Sequence, residues 1–274
     1  MMTKKNIKHF ALDMLKRYQD HQIRHVSASL AFFFTLAVFP LLIFVQALLG
    51  LFDVELMGLL ENIEAVIPTN VHELLQTYIQ SISGQSIGLL SFGLISALYA
   101  SSIAMTSIMN AVLVAYNQTS KHSWFYNKAL ALFFTILIGG SLSLFLIIPV
   151  LGSLIQPLLS NFLPELLGLF DIVTMLSWLI SATAIASTLA LLYKIVPDSG
   201  SKPTIWPGTI FALVGWLIGS SGFALYVNSF ANYSTYGVFG SIMVFLLWLY
   251  ITGLMIILGA EVNDAIDQIK NSHD

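Results

Sequence analysis

The side chains that could do chemistry are few in this 274-residue chain, and they are scattered along it. Phosphodiester cleavage needs clustered Asp, Glu or His, either to hold a metal ion or to act as a positioned acid and base. No His-x-Glu or paired-carboxylate pattern links the histidines. The chain has no cysteine, which excludes a thiol nucleophile and a Cys-ligated metal. We therefore predict no catalytic residue, no metal and no cofactor, and a protein that is not an enzyme. The histidines are His9, His21, His25, His72, His122 and His273.

The composition is that of a membrane protein. Hydrophobic residues make up 57% of the chain and charged residues only 9%, whereas roughly 25% of the residues of an average soluble domain are charged. Several uncharged runs exceed the roughly 20 residues that a helix needs to cross a bilayer. The predicted fold is an all-α, polytopic transmembrane bundle that forms a single membrane domain over residues 1–274. A soluble enzyme is excluded.

The uncharged runs predict six transmembrane helices. None of them contains Asp, Glu, Lys, Arg or His, which argues against proton transport through a buried carboxylate. The rest of the chain is a leader (1–25), an external helical loop (53–85) and a tail (259–274). The six predicted spans lie near residues 26–52, 87–116, 129–151, 172–193, 207–227 and 238–258.

The basic residues predict the orientation of the helices. All 11 lie in the termini and in alternate connections, whereas the other connections carry only acids. Because cytoplasmic segments retain Lys and Arg, both termini should be cytoplasmic. The basic residues are Lys4, Lys5, Lys8, Lys16, Arg17, Arg24, Lys121, Lys128, Lys194, Lys202 and Lys270. They are too few, and too close to the membrane, for a nucleic-acid-binding surface.

Two segments outside the spans have amphipathic periodicity. In the leader, apolar residues recur at helical spacing beside a basic flank, which predicts a helix on the anionic leaflet; it serves either as a topology anchor or in lipid recognition. In the loop 53–85, Pro68 separates two apolar stripes, and Asn70 with Glu73 forms a capping pair. We expect two short amphipathic helices that cap the bundle. The acids of this loop form either a solvated face or a cation-attracting vestibule.

The chain resembles a known family at both ends. The segments "SASLAFFFTLAVFPLL" (Ser27–Leu42) and "YGVFGSIMVFLLWLYITGLMIILGAEVN" (Tyr236–Asn263) resemble the YihY/BrkB family of bacterial inner-membrane proteins, some of which once carried a ribonuclease BN label. "YKIVPD" (Tyr193–Asp198) and "WPG" (Trp206–Gly208) extend the resemblance. The resemblance implies six transmembrane helices and no set of catalytic residues.

Polar residues within or beside the spans are the candidates for binding. Gln46 and Asn110 must find partners in hydrocarbon, either on a neighbouring helix or in a wet cavity. Tyr226, Asn228 and Tyr236 crowd the outer turn between the last two spans, either as an aromatic belt or as an outer gate.

One acidic residue stands out at the inner end of the last span. Glu261 lies where the helix dipole favours a cation, so a positive side chain must offset it. We expect Arg24 to be that partner. The pair is either a structural salt bridge that joins the two ends of the bundle or an inner gate that contacts substrate.

Four residues have predicted structural roles. Pro40 should kink the first span. Gly215 and Gly219 form a small-xxx-small face for close helix packing, and Gly237 adds flexibility to the outer turn.

These features predict transport, export or translocation of a lipid-like amphiphile or a small neutral solute. The alternative is a non-transporting scaffold that maintains the envelope and binds lipids or membrane partners. No nucleotide-binding motif is present, so ATP would not drive the protein directly. Membrane lipids are the expected partners, and a homo-oligomer is compatible with the sequence.

Overall fold

The computed structural model describes residues 4–50, 60, 69–81, 87–141, 167–197, 204–230 and 237–271, and the regular structure over these residues is entirely α-helical. The helices are α1 (Lys4–Asp20), α2 (Ile23–Gly50), α3 (Thr69–Ser81), α4 (Ile87–Ala115), α5 (described over 124–141), α6 (Leu167–Ile195), α7 (Trp206–Phe230) and α8 (Gly237–Asn271). The all-α fold class is confirmed for the described residues.

Within the part of the chain that the structure describes, four helices are long and apolar enough to cross a membrane: Ile23–Ile43, Ser91–Ala115, Trp206–Val227 and Phe239–Lys270. They coincide with the first, second, fifth and sixth predicted spans. Leu179–Ile195 is a shorter apolar helix within the fourth. The third predicted span is helical as far as residue 141, and 142–151 lie outside the described residues. The count of six spans and the orientation in the membrane stay predictions.

The last helix, α8, is the centre of the described bundle and packs against α1, α2, α3, α4 and α7. Glycine allows α2 to lie close to it, because a Cβ added at Gly253 would be 3.1 Å from Leu30 Cβ. Its contact with α7 includes a hydrogen bond from Trp216 Nε1 to Thr252 Oγ1 at 3.0 Å. Such uncharged hydrogen bonds join helices where water is absent.

One end of the bundle is capped by α3. Val71 of this helix is fully buried beside Val227, Val244 and Phe245 from α7 and α8. The second of the two predicted loop helices is therefore confirmed, and it begins at Thr69, directly after Pro68. The first lies outside the described residues except for residue 60, which is helical. We refer to this end as the α3 end.

The opposite end, which we call the charged end, gathers the predicted cytoplasmic segments. The backbone N–H of Thr204 donates to the Asp267 carboxylate at 2.9 and 3.0 Å. Lys270 Nζ donates to Thr204 Oγ1 at 2.8 Å. Helix α8 continues through most of the predicted 259–274 tail and ends at Asn271.

Candidate functional site: a buried charge cluster between the first and last helices

A sharp turn brings the leader helix back onto the bundle. The α1 helix ends at Asp20, and Gln22 adopts a left-handed backbone conformation with φ of 49°. The next residue, Ile23, is fully buried and begins α2. Because the chain turns between Asp20 and Ile23, the last turn of α1 lies against the carboxyl-terminal part of α8.

This contact joins four charged or ionisable side chains, which we call the charge cluster: Arg17, His21, Glu261 and Asp264. Arg17 Nη1 lies 3.2 Å from Glu261 Oε2 and 2.7 Å from Asp264 Oδ2. His21 Nδ1 lies 2.6 Å from Glu261 Oε1. His21 follows the end of α1, and its backbone N–H donates to the Arg17 carbonyl at 2.9 Å, so the two side chains project to the same side. Each oxygen of the Glu261 carboxylate thus has a partner at the end of α1.

The charge cluster is shielded from water. Glu261 is fully buried, and Arg17 and Asp264 are only 7% and 8% exposed. Burial lowers the pKa of Arg17, but hydrogen bonds to Asp13 and Asp264 raise it by more, so the net pKa lies above the ordinary value. The guanidinium is therefore permanently positive. An unpaired carboxylate at the Glu261 site would carry a large desolvation cost.

A surrounding set of polar groups orients the cluster. Asp13 Oδ2 accepts from Arg17 Nε at 2.8 Å, one turn earlier on α1. Asp264 Oδ2 also accepts from Gln268 Nε2 at 2.7 Å. On the other side, His21 Nε2 lies 3.3 Å from the Asn117 side-chain oxygen. The connection between α4 and α5 therefore meets the same site.

A close crossing of α7 and α8 lies beside the cluster. A Cβ added at Gly208 would overlap the carbonyl oxygen of Gly259, so the two helices are in backbone contact. Asn263 Oδ1 accepts from the Gly208 N–H at 2.7 Å and so satisfies a donor of the first turn of α7. From α6, the Tyr193 hydroxyl donates to the Ile256 carbonyl at 2.7 Å. The crossing fixes where α8 presents Glu261.

The Tyr193 hydrogen bond leads to a stability prediction. Tyr193→Phe should lower the free energy of unfolding by about 0.5–1.5 kcal/mol, because the buried Ile256 carbonyl loses its additional donor. Unfolding by sodium dodecyl sulfate in mixed micelles, followed by circular dichroism, measures the change. Tyr99→Phe is the matched control, since Tyr99 is 65% exposed, and it should leave the midpoint unchanged. Equal losses in both variants would contradict the assignment.

Two buried polar groups beside the cluster, the Tyr116 hydroxyl and the Asn263 side-chain amide, interact with each other. Among the described residues, no three His, Asp or Glu side chains come together in a way that could hold a metal ion. The contacts that the site makes are ion pairs and hydrogen bonds.

The prediction that Arg24 is the partner of Glu261 is wrong. Arg24 is exposed on α2, whereas Arg17 makes the ion pair with Glu261 and His21 lies within hydrogen-bond distance of the same carboxylate. The reason is geometric: the turn at Gln22 directs the last turn of α1, rather than the first turn of α2, towards α8. A link between the two ends of the chain exists, but through different residues.

Two of the other binding candidates, Asn110 and Tyr226, lie away from the charge cluster. Asn110 is exposed on the surface of α4, and Tyr226 is 53% exposed near the α3 end of α7. The side chains of Gln46, Asn228 and Tyr236 lie outside the described residues. Their predicted binding roles stay predictions.

The predicted structural residues occupy the helices as follows. Helix α2 runs through Pro40, and Gly237 is the first residue of α8. A Cβ added at Gly215 would lie 2.8 Å from Met255 Sδ, and one at Gly219 would lie 3.0 Å from Ile251 Cγ2. Both glycines therefore face α8.

Comparison with known proteins now identifies the family. The family model described as "Virulence factor BrkB" matches residues 14–274. The chain belongs to the BrkB family. This match includes Arg17, His21, Glu261 and Asp264, so the whole charge cluster lies within the family region.

Relatives support the assignment to a membrane-protein family. YfkH of Bacillus subtilis, whose name describes it as ribonuclease-like, is 33% identical over 97% of this chain and 98% of its own length. A UPF0761 membrane protein of Haemophilus influenzae is 24% identical over 96% of the chain and 97% of its own length. Another of Ralstonia nicotianae is 27% identical over 94% of the chain, which spans 59% of that relative. No solved structure matches the chain significantly.

These comparisons describe a BrkB/UPF0761 membrane protein and provide no positive support for an enzyme. The family resemblance noted from the two terminal segments is confirmed.

Proposed function

We propose that this BrkB-family protein moves a lipid-like amphiphile or a small neutral solute across the bacterial plasma membrane, with both termini in the cytoplasm. The observation that carries the proposal is the buried charge cluster, which joins α1 to α8 at the charged end. The cluster acts as the inner closure of the translocation path, and it separates and re-forms during movement.

The energetics of buried ion pairs support this role. Removing an ion from water costs several kcal/mol, and this cost largely cancels the attraction between the partners. Apolar side chains of similar size would hold α1 on α8 at least as strongly. A charged contact differs because its members regain hydration when they separate. The closed and open arrangements are therefore close in free energy, as a reversible gate requires.

The apolar character of the spans limits what is moved and how. In the four long apolar helices, the ionisable side chains lie near the charged end: Glu261, Asp264, Asp267 and Lys270 in α8, and Arg24 and His25 at the start of α2. A proton relay at mid-depth would need such a group. This interior favours neutral solutes over ions. It also favours amphiphiles whose polar headgroups slide between helices.

A liposome assay tests the proposal. Purified protein in vesicles should speed the transbilayer movement of fluorescent phospholipids, or the flux of at least one neutral solute, above the rate in empty vesicles. A variant with Arg17→Met, Glu261→Leu and Asp264→Leu replaces the charge cluster by apolar contacts. It should keep the unfolding midpoint while its transport rate falls towards that of empty vesicles, because the closure no longer gains hydration on opening.

Two outcomes would contradict the proposal. A wild-type protein with no activity across lipid and solute panels would favour the scaffold alternative. A triple variant that transports at the wild-type rate would show that the charge cluster is structural only. A double variant with Lys16→Met and Gln19→Leu is the control. It makes α1 more apolar at two exposed positions and leaves the charge cluster intact.

A further inference from the structure

A groove distinct from the charge cluster lies between α4 and α5. Its volume is about 180 Å³, an order of magnitude more than a single water molecule needs. The groove is lined by Ile103, Thr106, Ser107, Trp124, Asn127 and Lys128. The three residues from α4 follow helical spacing, and Asn110 continues the same face one turn later. The groove therefore has a hydroxyl-bearing wall and a cationic wall.

The cationic wall has no counter-ion in the described part of the chain. Lys128 is half-buried, and its ammonium lies 5.7 Å from the centre of the Tyr99 ring. Among the described residues, no carboxylate forms an ion pair with it. Attraction to an aromatic face contributes only about 0.5–1 kcal/mol at an accessible site. A lysine in this position is well placed to bind an anion.

The polar groups beside Lys128 are held in fixed positions. Asn127 Nδ2 donates to Ser120 Oγ at 2.7 Å and to the His122 carbonyl at 3.3 Å. Ser123 precedes the first turn of α5, and its Oγ lies 3.4 Å from the Tyr126 N–H. The start of α5 is thus a structured segment, and it presents Lys128 on a fixed helix face.

Exposed aromatic side chains lie at and beside the groove. Trp124 and Phe125 are 68% and 78% exposed, which would be costly in water. Aromatic side chains of this kind are typical of the headgroup level of a bilayer. They lie at the end of α4 that the basic residues assign to the cytoplasm, where anionic lipids are enriched.

We propose that this groove binds the phosphate headgroup of an anionic phospholipid, with Lys128 as the cation, Trp124 at the headgroup level and the acyl chains along exposed residues of α4 nearer mid-membrane, such as Ile95. The inference does not depend on transport, because a scaffold would carry the same site. A free phosphate ion shares the headgroup chemistry but would gain nothing from the aromatic surface.

Native mass spectrometry of the full-length protein tests the site. The protein is mixed with equal amounts of phosphatidylglycerol and phosphatidylcholine that carry the same acyl chains. Wild type should retain phosphatidylglycerol about fivefold more than phosphatidylcholine, the effect of one lysine beside an anionic surface. Lys128→Gln should abolish this preference, and Lys128→Arg should keep it.

Two further variants make the test specific. Lys194→Gln removes an exposed lysine from the last turn of α6 and should keep the preference. Ser107→Leu fills the groove while keeping its charge and should abolish the preference. Equal losses in Lys194→Gln and Lys128→Gln would overturn the proposal, as would a preference that survives Ser107→Leu. Displacement of the lipid by millimolar inorganic phosphate would assign the site to a free anion and overturn the lipid assignment.

Discussion

Arg17→Ala should lower the free energy of unfolding by about 3–5 kcal/mol, the typical cost of removing one partner from a buried ion pair. The variant leaves Glu261, which is fully buried, with His21 as its only remaining partner in the charge cluster, and it removes the cation 2.7 Å from Asp264. Unfolding by sodium dodecyl sulfate in mixed micelles measures the change. The midpoint should shift further than for any other single substitution at the surface of α1.

The neighbouring lysine provides the matched control. Lys16 carries the same charge on the same helix but is exposed, so Lys16→Ala should change stability by less than about 0.5 kcal/mol. Arg17→Lys should fall between the two, because an ammonium keeps the charge but not the planar fork that contacts several carboxylates. If Lys16→Ala destabilised the protein as much as Arg17→Ala, net charge rather than the cluster would be responsible.

Gly208→Ala should have the second-largest effect, a loss of about 1–3 kcal/mol or more from overpacking. The new methyl group would overlap the Gly259 carbonyl oxygen and lie 2.5 Å from Asn263 Cγ. Backbone atoms cannot rotate away, so α7 and α8 must separate. The separation would also weaken the hydrogen bond from Gly208 to Asn263. The same unfolding titration measures the loss.

Two other glycines of α7 provide controls for Gly208→Ala. Gly222 has no atom within 4 Å of an added Cβ, so Gly222→Ala should be neutral or stabilising, since alanine is the better helix former. At Gly215 the nearest atom is Met255 Sδ, which can move because methionine is flexible. Gly215→Ala should therefore cost less than Gly208→Ala. Identical effects at all three positions would contradict the backbone-contact explanation.

The sequence predicted much of the fold because membrane helices are encoded by long uncharged runs. The absence of charge from Ser91–Ala115 and from Trp206–Val227 is enough to predict helices there, since hydrocarbon leaves the backbone few other ways to satisfy its hydrogen bonds. The same reasoning identified Glu261, because an acidic group at the carboxyl end of a helix requires a positive partner.

The sequence could not identify that partner, because the pairing depends on the path of the chain between two helices. Arg24 is closer to the apolar run of α2, and that proximity made it the expected cation. The left-handed conformation at Gln22 determines which side chains reach Glu261. This conformation could not be predicted, because glutamine rarely adopts it. One signal was present: Arg17 and His21 are four residues apart, on one face of an amphipathic helix.

The sequence did not predict the helix crossing at Gly208, for a related reason. The prediction from small residues favoured Gly215 and Gly219, which are separated by four positions as in many membrane helix pairs. Gly208 and Gly259 lie on different helices, and each has its close partner on the other. A pattern within one helix cannot reveal such a pair. Only the three-dimensional packing brings together Gly259, Tyr193 and Gly208.

The uninterrupted length of α8 has a mechanical consequence. Its 35 residues make a rod of roughly 50 Å at 1.5 Å per residue. It packs against α3 around Val244, and against Arg17 at Glu261 and Asp264, on either side of its midpoint. Tilting a continuous helix about its midpoint moves these two contacts in opposite directions, and a rotation of about 10° would displace each of them by roughly 2 Å. A shift of α3 would therefore also move the carboxylates of the charge cluster.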